Sequence, residues 1–215
     1  INLTARDEHY FVVGMKPASE VTRETESIAT APTPAGDLSF LTPYVATDVL
    51  ERIRTSDEVS QFSSEHREVV VLFANFEYER PEIRDDHLLT IVELSGIIGE
   101  TFNLIKLMGG SIARIDPYQG GHKLLVLFGA PVKREGEEIR AVKCATSLTA
   151  LNHQGFRIRA GLAFGSLFCG DVGAERREEY TVMGNAINMA ARLMSKSGWN
   201  EILIDTKLRD RLPAE

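Results

Sequence analysis

From residue 66 onwards, the spacing of apolar side chains predicts a regular succession of strands and helices. Val69–Phe76 (VVVLFANF) is a continuous apolar run of strand length, which is typical of a strand that is buried on both faces. Asp86–Met108 carries apolar residues at helical spacing and ends at Gly109-Gly110, so it predicts a long helix that stops at a glycine pair. A central strand is therefore expected to be followed directly by a long helix.

The remainder of this region predicts shorter elements. In chain order they are strands at Ser111–Asp116 and Lys123–Gly129, a helix at Glu135–Leu151, strands at Arg157–Phe164 and Leu167–Asp171, a helix at Ala186–Ser195, and a strand at Glu201–Ile204. A tight turn is expected at Pro117–Gly121, and Gly165-Ser166 is typical of a hairpin between two strands. The order strand–helix–strand–strand–helix–strand predicts an α+β fold of the ferredoxin-like split βαβ type, with helices packed on a mostly antiparallel sheet.

Residues 1–65 differ in composition from the rest of the chain. Ala18–Asp37 is rich in Ser, Thr, Pro, Ala and Glu, which is typical of a linker. Tyr10–Val13 has the pattern of a short strand, and Pro43–Arg54 has one apolar side at helical spacing. We therefore expect an N-terminal extension or interdomain linker at 1–65 and a folded domain at 66–215.

Composition and charge narrow the class of protein. The chain has 215 residues, 24 basic and 31 acidic side chains, a net charge of −7, and 43% apolar residues. This usage is typical of a globular domain, and the negative balance argues against nucleic acid as a partner. The longest apolar run is far shorter than the roughly 18 residues that a membrane-spanning helix needs. With two cysteines there is no disulfide framework, so a cytoplasmic location without a membrane partner is expected.

Four segments carry candidate chemistry. They are Val71–Phe76 (VLFANF), Phe128–Pro131 (FGAP), Gly161–Gly173 (GLAFGSLFCGDVG) and Glu179–Leu193 (EYTVMGNAINMAARL). In this order and spacing they resemble the catalytic domain of the class III adenylyl and guanylyl cyclases, over about residues 66 to 210. The resemblance implies a dimer with ATP or GTP bound at the seam between two such domains. It also implies two aspartates that hold metal ions, and further residues that read the base and stabilise charge on the phosphate.

At the two positions where this family carries metal-binding aspartates, the chain has other residues. Asn75 follows the Phe-Ala of the first strand, and His122 stands six residues before the Phe of FGAP. A neutral amide and a histidine beside Lys123 are poor ligands for Mg²⁺, a hard cation that prefers carboxylate oxygen. We expect a strand-end amide at Asn75, a turn histidine at His122, and no metal ligand in this chain. Mg²⁺ or Mn²⁺ is expected only in a composite site with a partner domain.

The other half of the family's site is retained. By resemblance, Thr181 stands at a base-reading position, Asn188 at the ribose position and Arg192 at the transition-state position. The base-reading lysine of the family corresponds best to Arg114. Asn188 and Arg192 are four residues apart on a predicted helix, so they share a face. The alternative is an inherited scaffold in which these side chains have lost their roles.

A domain without the two metal-binding aspartates, but with the base-reading, ribose and transition-state residues, resembles the second cyclase domain of tandem soluble adenylyl cyclases. In those enzymes the first domain supplies both metal carboxylates. The resemblance implies a domain of cyclic-nucleotide signalling that contributes base-reading and transition-state residues to a composite site. That site would convert ATP to 3′,5′-cyclic AMP and pyrophosphate, and the chain alone would be inactive. The partner would be another cyclase domain, on the same polypeptide or in a second copy, and the family's final C-terminal strands would lie beyond Glu215. Two alternatives remain: a non-catalytic regulatory pseudo-cyclase that dimerises or senses nucleotide, and an active homodimer that uses a metal at His122.

Overall fold

The chain divides into two compact units, Ile1–Thr42 and Pro43–Glu215. The computed structural model describes residues 2–6, 9–14, 64–79, 87–151, 155–174 and 177–213. The predicted linker at Ala18–Asp37 and the predicted helix at Pro43–Arg54 lie outside the described residues. The boundary between the units falls at residues 42 and 43, whereas the change in composition suggested residue 66.

The first unit contains a β-hairpin. Its strands are β1 (Asn2–Arg6) and β2 (His9–Gly14), which pair antiparallel. The strand predicted at Tyr10–Val13 is confirmed as part of β2.

The second unit is built on a six-stranded sheet. Its strands are β3 (Glu65–Tyr78), β4 (Ser111–Tyr118), β5 (Gly121–Phe128), β6 (Phe156–Ala174), β7 (Arg177–Met183) and β8 (Ile202–Ile204). The order across the sheet is β4-β5-β3-β6-β7, and every neighbouring pair along it is antiparallel. β8 pairs with the first half of β6 in parallel. The predicted, mostly antiparallel sheet is confirmed.

Helices cover both faces of this sheet. They are α1 (His87–Leu107), α2 (Glu137–Thr149), α3 (Asn185–Lys196) and the single turn α4 (Thr206–Arg209). The chain order β3-α1-β4-β5-α2-β6 is the predicted split βαβ arrangement, and the fold is α+β. Within the described ranges, no helix is both long and apolar enough to cross a membrane.

The central strand β3 supplies apolar side chains to two separate cores. Successive side chains of a strand point to opposite faces. One set packs with residues of α1 and α2: Val70, Leu72, Ala74 and Phe76. The other set packs with residues of α3: Val69, Val71 and Phe73. All eight residues from Val69 to Phe76 are buried, which confirms a strand buried on both faces. We call the two sides of the sheet the α1/α2 face and the α3 face.

The α3 face depends on a glycine in β6. A Cβ atom at Gly161 would collide with backbone atoms of Ala190 and Met194 in α3. Because glycine has no side chain, the helix rests directly on the strand. Backbone contact at Gly161 therefore sets how closely α3 approaches β6.

The prediction of a hairpin at Gly165-Ser166 is wrong. β6 is one strand of 19 residues, and it stays paired with β3 through this point, where Gly165 lies opposite Val69. A Cβ atom at Gly165 would lie 3.1 Å from the Cβ of Ala186 in α3. The glycine leaves room for the first turn of the helix, so the signal that favoured a turn reflects close packing.

The turn predicted at Pro117–Gly121 is shorter than expected. β4 continues through Pro117 and Tyr118, and Tyr118 pairs with Gly121. Only residues 119 and 120 form the turn, with Gly120 at φ 69°, a left-handed conformation that glycine adopts without strain. The longer strand carries Asp116 and Tyr118 onto the edge of the sheet next to β5.

Candidate active site

A cavity of about 370 Å³ lies on the α3 face, and we call it the inner cavity. Its walls come from β3, β4, β5 and β7, from Pro131 of the FGAP segment, and from Ile187 of α3. Both Arg114 and Thr181, the residues predicted to read the base, line it. The structure thus brings together two residues that lie far apart in sequence. The volume is within the range of ordinary small-molecule sites.

The backbone of β4 explains how Arg114 reaches this cavity. The register of β4 against β5 shifts between Ile112 and Arg114, which is an irregularity of the kind that re-aims a side chain. After the shift Arg114 pairs with Leu125, whose side chain belongs to the core on the α3 face. The shift therefore puts Arg114 on the same face as Thr181.

Two further charged residues of the inner cavity were not singled out from the sequence. Asp116 and Lys123 both line it, and the Lys123 Nζ lies 3.8 Å from the Asp116 Oδ2. The Lys123 Nζ also lies 5.4 Å from the centre of the Tyr118 ring. A period of two along β4 could have indicated Asp116, since Arg114 and Asp116 must share a face once the segment is a strand.

Asn188 and Arg192 lie outside the inner cavity, on the exposed side of α3. They line a shallow open concavity of about 340 Å³, the α3 groove, together with Ala191, Ser195 and Lys196. The opposite side of the helix is buried through Ala186, Ala190 and Met194, and Asn188 and Arg192 share the exposed side, as their spacing predicted. Among the described residues, no carboxylate forms an ion pair with Arg192 or Lys196. This groove presents an amide and two cations to solvent.

Asn75 is fully buried on the α3 face, and both ends of its amide are used. Its Nδ2 donates to the backbone oxygen of His122 at 3.1 Å and to that of Phe76 at 3.4 Å. Its Oδ1 accepts a hydrogen bond from the Nε of Arg159 at 3.0 Å. An amide satisfies this arrangement because it offers a donor and an acceptor, whereas a carboxylate offers acceptors only.

The guanidinium of Arg159 is held from several sides. Besides the bond to Asn75, its Nη1 donates to the backbone oxygens of Ser195 at 3.5 Å and Ser197 at 3.4 Å. Its centre lies 4.5 Å from the centre of the Trp199 ring, close enough for a cation–π interaction. Sequence reasoning missed this residue because its partners are distant in sequence, at Asn75 and beyond the end of α3.

The cross-strand register places Asp116, Lys123, Asn75 and Arg159 side by side, and we call them the polar row. His122 is not part of it. His122 pairs with Phe76 and lies beside the Tyr78 ring on the α1/α2 face, with ring centres 6.2 Å apart. Burial lowers the pKa of His122 below its ordinary value. The structure therefore separates the side chains of the two predicted aspartate-replacing positions, and Lys123 is the residue facing the same side as Asn75.

The polar row does not fit a divalent metal ion. The Nδ2 of Asn75 points at two carbonyl oxygens, and the neighbours of Asn75 on either side in the row are the cations Lys123 and Arg159. Mg²⁺ and Mn²⁺ prefer several oxygen ligands, carboxylates above all. Across the described part of the chain, no group of three or more His, Cys, Asp or Glu side chains could hold a metal.

Comparison with known proteins agrees with the four motifs. The profile of the adenylate and guanylate cyclase catalytic domain matches residues 135–214. Adenylate cyclase type 10 of Homo sapiens is 29% identical over 171 residues, which cover 76% of this chain and 10% of that protein. The chain therefore spans about a tenth of the length of this curated relative.

Solved structures show the same fold. The adenylyl cyclase CyaB from P. aeruginosa matches with a TM-score of 0.57 and 24% identity, covering 69% of this chain and 81% of that one. The non-canonical dimeric guanylyl cyclase domain of the RhoGC fusion protein from the fungus Blastocladiella emersonii also matches. Its TM-score is 0.57 at 19% identity, with 68% of this chain and 84% of that one covered. The profile match over residues 135–214 and the likeness to adenylate cyclase type 10 agree with the four motifs and support a class III adenylyl/guanylyl cyclase domain in the second unit, and the solved structures show that it has the fold of such domains.

Proposed function

We propose that this domain is one half of a composite cyclase site that converts ATP to 3′,5′-cyclic AMP and pyrophosphate. The observation that carries the proposal is that the polar residues fall into two groups, one exposed and one bonded within the domain. Asn188 and Arg192 are presented to solvent in the α3 groove, whereas the polar row holds a buried amide tied to a guanidinium. A domain of this kind supplies base-reading and transition-state groups and needs a partner for the rest.

The inner cavity suits the base of the nucleotide. Arg114 is a donor only, and the hydroxyl of Thr181 both donates and accepts. Between them they can meet a ring nitrogen and an exocyclic amino group, which is the pattern on the edge of adenine. The apolar side chains of Phe73, Leu125 and Ile187 line the same cavity and can contact the faces of a planar ring. ATP is therefore the proposed nucleotide.

The α3 groove suits the ribose and the phosphates. Asn188 is the proposed ribose-binding residue, and Arg192 is the proposed donor to the phosphate that carries developing charge in the transition state. A forked, permanently charged guanidinium fits this task. Lys196 lies one turn further along the same groove, where it would add a second cation for the rest of the polyphosphate.

A partner cyclase domain would supply the carboxylates that hold Mg²⁺ or Mn²⁺. A metal ion held there would activate the attacking hydroxyl and neutralise charge on the phosphates. An exposed apolar side chain beside the α3 groove favours such a partner: Met189, next to Asn188 on α3, is 36% exposed. One structural relative is itself described as dimeric. By this proposal the domain corresponds to the second cyclase domain of a tandem enzyme and works in cyclic-nucleotide signalling in the cytoplasm.

A second candidate is a regulatory pseudo-cyclase. The closed polar row favours it, because a domain that no longer holds a metal can survive as a dimerisation or nucleotide-sensing module. The two candidates differ in the role of Arg192. In the composite enzyme it takes part in turnover, whereas in a pseudo-cyclase its removal leaves regulation of the partner unchanged.

The test is cyclic AMP formation from ATP with Mn²⁺. The chain is assayed alone, then mixed with a cyclase domain that carries both metal-binding carboxylates, with that partner alone as the control. We expect no product from the chain alone and product from the mixture. Product from the chain alone would contradict the half-site. If both domains are folded and associated and the mixture still forms no cyclic AMP, the result would favour the pseudo-cyclase.

A further inference from the structure

Arg159 joins three parts of the domain that are far apart in sequence. Its Nε donates to Asn75 in β3, and its Nη1 donates to the carbonyl oxygens of Ser195 and Ser197 at the end of α3. Its guanidinium also lies against the ring of Trp199, 4.5 Å from its centre. Carbonyl groups at the C-terminus of a helix lack intrahelical partners and carry partial negative charge, so a cation there is stabilising. Arg159 is thus a side-chain link between the sheet and the C-terminal end of α3, beside the contact of the Tyr118 hydroxyl with the Ser195 Oγ at 3.4 Å.

The same end of α3 carries the groups that the composite site needs. Ser195 and Lys196 line the α3 groove with Arg192, which precedes Ser195 by less than one helical turn. A shift of about 1 Å in a positioned catalytic group can cost roughly 100-fold in rate. Whatever holds the last turn of α3 therefore also determines where the Arg192 guanidinium lies.

We propose that Arg159 is the positioning residue for Arg192, and that its fixed guanidinium fills the place beside Asn75 and keeps divalent metal out of this half of the site. The part that concerns Arg192 rests on the proposed function. Arg159 does not contact the nucleotide in this proposal. It acts through α3, by holding the carbonyl groups of the last turn against β3.

Arg157 provides a matched control. It lies two residues earlier on β6 and its guanidinium also packs on Trp199, 4.2 Å from the ring centre. Its charge pairs with Glu77, with the Nη2 2.7 Å and the Nε 2.9 Å from Oε2. Among the described residues, its hydrogen bonds do not extend to Asn75 or α3. Replacing Arg157 therefore removes a stacked arginine from the same strand without releasing the helix.

The first experiment is hydrogen exchange on the chain alone, which needs no activity. We expect Arg159→Ala to speed exchange of the amides of residues 193–197 by about tenfold or more, because local opening of the last turn becomes easier. Arg157→Ala should leave these amides unchanged, and β3 should stay protected in both variants. Unchanged exchange at 193–197 in folded Arg159→Ala would overturn the positioning role. If Arg159→Ala does not fold, Arg159→Lys serves, since it keeps the charge and the aliphatic stem but loses the forked contacts.

The second experiment is a double-mutant cycle in the chain paired with a carboxylate-bearing cyclase domain. We expect Arg159→Ala to lower kcat roughly 10- to 100-fold with little change in KM, and to have almost no further effect when Arg192 is already Ala. Additive losses in kcat would overturn the proposal, because a general loss of structure acts equally in both backgrounds. If Arg192→Ala itself does not slow the pair, the proposed function fails, while the exchange result still decides whether Arg159 holds α3.

Discussion

The polar row and the α3 groove each place an amide side chain beside cationic side chains. The amide of the row is buried and hydrogen-bonded, whereas the amide of the groove faces solvent. In the polar row, Asn75 uses its donors on two carbonyl oxygens and its acceptor on Arg159. In the α3 groove, Asn188 and Arg192 face solvent, and no carboxylate of the described residues pairs with Arg192. Satisfied polar groups stabilise a fold, whereas exposed and unpaired ones are available to a ligand. The comparison favours a structural role for the row and supports the binding role proposed for the groove.

The largest expected effect concerns the α3 groove, whose polar side chains face solvent. Arg192→Ala should lower kcat of the paired enzyme by about 100-fold or more, since loss of one preorganised donor to a transition state commonly has this cost. Lys207→Gln on α4, which lies outside the groove, is the control and should leave kcat unchanged. Steady-state kinetics with Mn²⁺ and ATP measure both. Equal kcat values for Arg192→Ala and the unmodified chain would contradict the binding role proposed for the groove.

The same amide-to-acid change at two positions compares the row with the groove directly. Asn75→Asp places an oxygen where an N–H group donates to two buried carbonyl oxygens, so it should cost about 1–3 kcal/mol of unfolding free energy. Asn188→Asp makes the same chemical change on the exposed side of α3, where a substitution costs within about 0.5 kcal/mol. Urea denaturation of the isolated chain at neutral pH measures both. Equal losses would mean that the amide of Asn75 has no special structural role.

Opening the row should raise the affinity of the chain for a divalent metal ion. The single variant Asn75→Asp keeps the Arg159 cation next to the new carboxylate and should bind Mn²⁺ weakly. The double variant Asn75→Asp/Arg159→Ala removes that cation and leaves the carboxylate beside two carbonyl oxygens, which are ligands that hard cations accept. We expect the double variant to bind Mn²⁺ about tenfold more tightly than the single one, because removal of a neighbouring like charge favours cation binding. Electron paramagnetic resonance of free Mn²⁺ measures this, and equal affinities would show that Arg159 does not exclude metal.

The smallest effect concerns His122, on the other face of the sheet. Its pKa is lowered by burial, so the unfolded chain binds a proton more readily than the folded one. The neutral ring therefore contributes stability above its ordinary pKa of about 6.5, and this contribution is lost as the pH falls through the lowered folded value. His122→Gln should flatten the loss of stability between pH 7 and pH 5. Unfolding curves at several pH values measure it, and an identical slope in His122→Gln would contradict the effect.

Local periodicity was sufficient for most of the fold. Continuous apolar runs and helical spacing predicted β3, α1, α2 and α3 to within a few residues. Burial on the sheet explains the pattern in β3, α2 and α3, whereas Val92 and Phe102 of α1 are exposed. The hairpin at Gly165 was mispredicted because glycine marks both turns and close backbone approach, and only the tertiary contact with Ala186 tells them apart. The strand β7 was not recognised, since its short charged sequence lacks a distinctive pattern.

The candidate site was predictable only where motif spacing carries the information. Thr181, Asn188 and Arg192 lie in one motif, Glu179–Leu193, and the structure puts Thr181 in the inner cavity and the other two on the exposed side of α3. Motif spacing suggested His122 as the second aspartate-replacing position, but spacing alone does not determine which face of a strand a side chain occupies. Arg159 could not be predicted, because its acceptor Asn75 lies 84 residues away in the chain.

The direct contact between Gly161 and α3 has a mechanical consequence. With no side chain between helix and strand, α3 and β6 form one stiff body, and β6 is bonded in turn to β3, β7 and β8. A force that a ligand exerts on Arg192 therefore acts on the whole sheet and does not bend the helix at its base. A ligand that binds this side chain therefore meets a rigid surface, and little of its binding energy is used in deforming the protein.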